Sequence, residues 1–301
     1  MMNQALIDLG SNTIKLAVYR LDEEGFTCIR YESRYGYVVR YIQAGQLSDE
    51  GVGRIREIIT EYQEIAREYN CKAENGTLLC FSTASLRYID NIQNVIQNIK
   101  KTNSITISPV SGEEEARCNF FAMQYASKSS DFFGGDMGGG SMQLFRSEDN
   151  RLAGYQSYPI GSLKLYRDFV EGPLPTKQEA EAIAGYVKEK LKEGKLTAGT
   201  PAPLYLMGGT IRLITGLLGK TVFQAEELSG MTERFLESPE HAQKEIERIT
   251  PERLNSILPG MICLNTVAGF FGVDQMRFTE SSVREGYLLA YVLPGKGQAR
   301  F

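Results

Sequence analysis

The chain has 301 residues, 42% hydrophobic and 23% charged, long enough for one large or two ordinary domains, and two is the reading adopted because single cores stop growing near about 250–300 residues. Its net charge of −4 supplies no global basic field, so DNA is not an expected partner and any polyanionic ligand has to be held by a local cluster. Five scattered cysteines without a CxxC pair argue against a disulfide framework, and a single histidine, His241 in SPEHAQKEIERI, removes poly-His metal sites and a Ser/His/Asp triad.

In chain order, MMNQALIDLG lacks the basic start of a targeting signal and enters a strand pattern at once. No apolar run approaches the ~18–20 residues of a membrane span, and a cytoplasmic protein is expected. ALIDLGSNTIKLAVYRL and FTCIRYESRYGYVVRYI read as extended runs joined at the charged turn DEEG. From Ser48 to Asn70 the apolar residues Val52, Ile55, Ile58, Ile59, Tyr62, Ile65 and Ala66 recur at helical spacing. TLLCFST then reads as a strand, SLRYIDNIQNVIQNIKK as a helix and ITISPV as a strand. The second half restarts with GGDMGGGSMQLFRSEDNRLAGYQSYPIG, again strand, acidic turn, strand. Helix starts follow at the Thr176/Glu179 box, Ser238-Pro239, Thr250-Pro251 and the Ser282/Glu285 box. Each half reads as its own α/β domain with a mixed sheet flanked by helices, and SKSSD, Ser127 to Asp131, is the best hinge candidate.

The two halves share a nine-residue pattern. DLGSNTIKL from Asp8 and DMGGGSMQL from Asp136 both read Asp-x-Gly-x-x-[Ser/Thr]-x-x-Leu. In each, a strand ends in Asp and a glycine or small polar run reverses the chain. Without Cβ atoms at Gly138, Gly139 and Gly140, several N–H groups can converge on one phosphate, and the aspartate adds the hard oxygen that Mg²⁺ prefers. A third glycine motif, LYLMGGTIR, carries Gly208, Gly209 and Thr210 at a strand-to-helix junction, where unpaired N–H groups and the helix dipole also suit phosphate.

DLGSNTIKL, STASLR, SGEEEAR, DMGGGSMQL, PIGSLKL, GGTIR, LPGM and VREGYLL occur in the order seen in exopolyphosphatase and guanosine-pentaphosphate phosphohydrolases. The chain resembles that family, within the actin-like ATPase superfamily, from Ala5 to about Leu293. The resemblance implies the short form with two actin-like, ribonuclease H-like domains and the active site in the interdomain cleft. Domain I would be 1–127 plus 282–301, and domain II 128–281. It also implies a hydrolase releasing terminal phosphate from inorganic polyphosphate or guanosine pentaphosphate, with Mg²⁺ or another divalent cation as cofactor; polyphosphate or guanosine penta- or tetraphosphate is the expected partner, and a homodimer is a candidate assembly.

Within SGEEEAR, Ser111 and Glu114 satisfy a capping box, which assigns Glu114 to the helix start. The family's water-activating glutamate then maps onto Glu115. Arg87 in STASLR would clamp phosphate oxygens with its planar fork. Backbone near Gly10, Ser11, Asn12, Gly138, Gly139, Gly140 and Ser141 would form the cradle, with Lys164, Arg212 and Arg284 as weaker members of a basic track. Asp8, Asp136 and residue 143 would hold the metal. At 143 the chain departs from the family, which commonly has glutamate there; Gln143 is a poorer ligand for a hard dication. Two alternatives follow: a weakly active or non-catalytic sensor of polyphosphate or alarmone nucleotides, favoured by Gln143, and an actin-like ATP-dependent kinase, disfavoured by SGEEEAR.

Overall fold

The computed structural model describes residues 2–10, 12–83, 86, 89–197 and 202–293. The chain divides into two compact units, Met1–Glu115 and Ala116–Phe301.

In the first unit the sheet runs β3 (Phe26–Tyr35), β2 (Thr13–Leu21), β1 (Met2–Leu9), β6 (Leu78–Ser82), β7 (Ile107–Pro109), with β4 (Ile42–Gln43) and β5 (Gln46–Leu47) forming a separate small pair. The first three strands are antiparallel neighbours, and β6 and β7 continue in parallel. Helix α1 (Asp49–Glu68) starts where Ser48 accepts from the Gly51 N–H, and it buries Val52, Ile55, Ile58, Ile59, Tyr62 and Ala66 on the sheet. Its Tyr62 hydroxyl donates to the Ile14 carbonyl at 2.8 Å, which fixes the helix against the strand leaving the first turn.

Two sequence expectations change here. The run FTCIRYESRYGYVVRYI is not one strand: it ends at Tyr35 and becomes a 3-10 turn at Val38–Tyr41. The cause is Tyr37, whose left-handed backbone (φ 47°) breaks the extended path. The helix expected over SLRYIDNIQNVIQNIKK is described as α2, Ile92–Asn103. Just before it, the Asn91 amide bridges both backbone groups of Leu47.

The division between units falls inside α3 (Gly112–Ser127), and SKSSD connects α3 to β8 (Phe132–Met137). In the second unit the sheet order is β10 (Arg151–Tyr158), β9 (Met142–Glu148), β8 (Phe132–Met137), β11 (Leu204–Met207), β13 (Gln275–Phe278), β12 (Val222–Gln224). Three antiparallel strands followed by two parallel ones repeat the plan of the first sheet, with β12 added antiparallel at the edge. The helices are α4 (Ser162–Phe169), α5 (Lys177–Glu193), α6 (Gly209–Leu218), α7 (Ala225–Glu237), α8 (Pro239–Ile249), α9 (Leu254–Phe271) and α10 (Val283–Tyr287), the last passing into π-helical turns at Leu288–Val292. The boxes at Thr176/Glu179 and Ser282/Glu285 form, and Pro239 opens α8.

Helix α9 corrects another expectation. Its 18 residues, mean hydropathy 1.4, are long and apolar enough to cross a membrane by length and composition. Asn255, Asn265 and Thr266 interrupt the apolar run, which hid it in the sequence. Here it lies among α5, α4, α7 and α6, with Ile257, Leu258, Met261, Cys263 and Leu264 in the core. Burial in that core pushes the Cys263 thiol pKa up. Helix α10 touches α3 closely: a methyl group on Gly286 would stand 1.8 Å from the Cys118 carbonyl oxygen, which accounts for the glycine of VREGYLL.

Candidate active site

The repeated pattern forms the same turn twice. Gly10 donates its N–H to the Thr13 carbonyl at 3.1 Å, and Gly138 donates to the Ser141 carbonyl at 2.9 Å. Each aspartate sits directly across its hairpin from the residue seven positions later, Asp8 from Lys15 and Asp136 from Gln143. Directly opposed residues share a sheet face, so each acid has one defined neighbour.

The second turn is held from outside by three of the sequence motifs. The N-terminus of α4 donates from Ser162 to the Gly138 carbonyl (3.1 Å) and from Lys164 to the Gly139 carbonyl (2.9 Å). With these carbonyls engaged, the N–H groups of Gly139 and Gly140 have no partner among the described residues. PIGSLKL supplies Gly161, where a methyl group would lie 2.3–2.5 Å from backbone atoms of Ser141, Gly140 and Gly139; only glycine lets the chain lie flat on the loop. GGTIR supplies Gly208, at φ 112° with its Cα against Asp136 and Met137, and Thr210, whose hydroxyl pairs with that of Ser162 at 3.0 Å in the interior. LPGM supplies Gly260, pressed on Thr210, Met137 and Ser162. Helix α6 therefore begins beside the turn with no side-chain cap on its N-terminus, the arrangement that favours an anion.

Asp136 accepts from the Asn119 amide nitrogen at 3.2 Å, and the Asn119 oxygen, fully buried, has no partner among the described residues. The Gln143 nitrogen donates to the Ser141 hydroxyl at 2.9 Å and the Ser157 hydroxyl at 3.4 Å. Asp136 thus has two amide side chains as neighbours, Asn119 by hydrogen bond and Gln143 across the strand pair, and carboxylate and amide oxygens are the chemistry a divalent ion completed by substrate phosphates takes. Among the described residues no three His, Cys, Asp or Glu side chains gather around one metal position. In the first unit Asp8 is buried at the end of β1, and burial together with this carboxylate raises the pKa of the adjacent Cys80 thiol.

At the start of α3 the capping box is present in both directions. The Ser111 N–H donates to the Glu114 carboxylate at 2.8 Å, and the Glu114 N–H donates to the Ser111 hydroxyl at 3.2 Å. Glu115 lies on another face of the helix and is buried, at 8% exposure. Ser82, first residue of STASLR, ends β6 paired with Leu9, and its buried hydroxyl has no partner among the described residues. Arg87 and Ser11 lie outside the described residues.

The candidate basic residues each have neighbours of their own. Lys164 pairs with Asp168 one turn along α4, and this ammonium, then Arg167, holds the Asp168 carboxyl below its usual range. Arg212 is exposed, 3.6 Å from Glu280 and stacked over Phe278. Arg284 is buried in the capped turn of α10. The structure adds three residues that sequence reading missed. Asn119 touches Asp136, Lys15 faces Asp8, and the Arg253 guanidinium lies 3.5 Å from where a methyl group on Gly209 would stand, at the open end of α6. Arg253 had no motif to mark it; Lys15 was inside DLGSNTIKL and its register was the available signal.

The chain is similar to several known proteins. Exopolyphosphatase 1 of Mycobacterium tuberculosis is 22% identical over 307 residues, covering 96% of this chain and 88% of that protein. The Ppx/GppA family member of Aquifex aeolicus superposes with a TM-score of 0.85 at 21% identity, covering 97% of this chain and 98% of the other. An exopolyphosphatase from Cytophaga hutchinsonii superposes at 0.78 with 19% identity, over 95% and 96%. The fold is thus the two-domain actin-like one. With the family model matching residues 17–294, the chain belongs to the Ppx/GppA phosphatase family and is a hydrolase.

Proposed function

We propose that the protein hydrolyses the terminal phosphoanhydride bond of inorganic polyphosphate or guanosine pentaphosphate, with Glu115 as the base that orients and deprotonates the attacking water. The observation that carries this reading is the reciprocal Ser111–Glu114 pair, which gives Glu114 of SGEEEAR the helix-capping role, while Glu115 beside it is buried. Water oxygen attacks the terminal phosphorus, the bond to the bridging oxygen breaks, and Glu115 takes the proton. Most of the acceleration comes from positioning and charge neutralisation. Backbone N–H groups of the two Asp-x-Gly turns and the start of α6 bind phosphate oxygens, and Arg87 clamps them. Asp8, Asp136 and Gln143 would hold Mg²⁺, which would neutralise phosphate charge when bound. Interlocking of α3 with α10 supports grouping 1–127 with 282–301 as the domain that carries Glu115.

The test is phosphate release from long polyphosphate and from guanosine pentaphosphate, each with and without Mg²⁺. Glu115→Gln is expected to lower turnover at least about 100-fold with substrate binding retained. Glu114→Gln is expected to cost about 1 kcal/mol of stability and little turnover. Normal turnover in Glu115→Gln sinks the assignment.

A further inference from the structure

One aromatic cluster that the reaction above does not use lies beside the first turn. Tyr35 and Tyr37 stack with ring centroids 5.1 Å apart and planes 10° from parallel, and the Arg40 guanidinium carbon lies 4.2 Å from the Tyr37 centroid. Tyr35 is 51% exposed and Arg40 is exposed. A ring pair backed by a cation on a solvent face is an open surface for a further planar group.

Its position points to the occupant. Tyr35 is the direct cross-strand partner of Thr13, the residue that leaves the first Asp-x-Gly turn, and Lys15 and Asp8 follow on the same sheet face. Gly36 and Tyr37 both donate their N–H groups to the Asn12 carbonyl at 2.9 Å, so the stack is tied to the turn itself. Tyr37 also holds a left-handed backbone, φ 47° and ψ 37°, which is costly for a bulky side chain and persists only where the surroundings impose it. An aromatic platform one residue pair from a phosphate cradle matches a molecule that carries a polyphosphate at one end and a planar base at the other.

We propose that the Tyr35–Tyr37–Arg40 stack is a base-stacking subsite for the purine of a nucleoside polyphosphate whose phosphates occupy the Asp8–Thr13 turn. This rests on the phosphate-binding reading of that turn. The Tyr35 ring receives the base, Tyr37 backs it, and Arg40 supplies charge to the stack. Stacking uses the π-face that every base has, so guanine and adenine are accepted alike by this element. Inorganic polyphosphate has no group for it.

The experiment measures affinity by calorimetry, in the presence of Mg²⁺, for guanosine tetraphosphate, for ATP and for inorganic tripolyphosphate as the probe lacking a base. Tyr35→Ala is expected to weaken both nucleotides by about 5- to 100-fold and to leave tripolyphosphate within twofold, while Tyr35→Phe retains wild-type affinity for all three. Nucleotide affinity unchanged in Tyr35→Ala, or an equal loss for nucleotide and tripolyphosphate, overturns the subsite. Tripolyphosphate failing to bind the wild-type protein instead overturns the phosphate reading, and the subsite with it.

Discussion

The two Asp-x-Gly turns share a backbone and differ in what surrounds them. At the first, the Asn12 carbonyl is held by two N–H groups from a neighbouring loop, and the residue facing the aspartate is Lys15. At the second, two successive carbonyls are held by the start of a helix, the loop is flattened by Gly161, and the aspartate faces Gln143. One turn thus carries a cation beside its acid and the other a neutral amide. A duplicated motif keeps the hydrogen bond that shapes it, while the cross-strand partner is open to change and sets the local charge.

The contrast can be broken most severely at Gly161. In Gly161→Ala the new methyl group meets three backbone atoms that cannot rotate away, so a loss near the upper end of the overpacking range, about 3 kcal/mol, is expected in urea unfolding, with phosphate release abolished. Wild-type stability and turnover would show that the loop has room that the contacts deny. A smaller effect is expected from Gln143→Glu, which adds the missing carboxylate next to Asp136. The Mg²⁺ concentration for half-maximal activity should fall by about tenfold. No change would place residue 143 away from the metal. The smallest is Gly36→Ala beside the first turn. Its methyl group would meet the side chains of Ile14 at 3.0–3.1 Å and Val38 at 3.5 Å but no backbone atom, so thermal unfolding should report a cost of about 1 kcal/mol and activity should persist.

Local rules carried far in this chain. The Ser111/Glu114, Thr176/Glu179 and Ser282/Glu285 boxes were legible because each is decided within four residues. The sheet plans were legible because strand runs and turns alternate in the sequence. What was hidden depends on distant neighbours. Tyr37 is turned left-handed by hydrogen bonds to Asn12, Arg253 reaches Gly209 from another helix, and Asn119 finds Asp136 across a helix-strand contact. The pairing of Lys164 with Asp168 was legible too, since the two stand four residues apart on one helix.

The close approach of Gly286 to Cys118 also has a bearing on how the molecule is made. The helix that begins at Gly112 and carries Glu115 is covered by a segment more than half the chain later. At a synthesis rate of about 5–20 residues per second, α3 emerges many seconds before its cover exists. Contacts of such long sequence separation form late and slow folding. The first sheet and α1 can assemble early, whereas the packing of α3 is completed only once α10 has been made, so the helix bearing the proposed base acquires its full set of neighbours late.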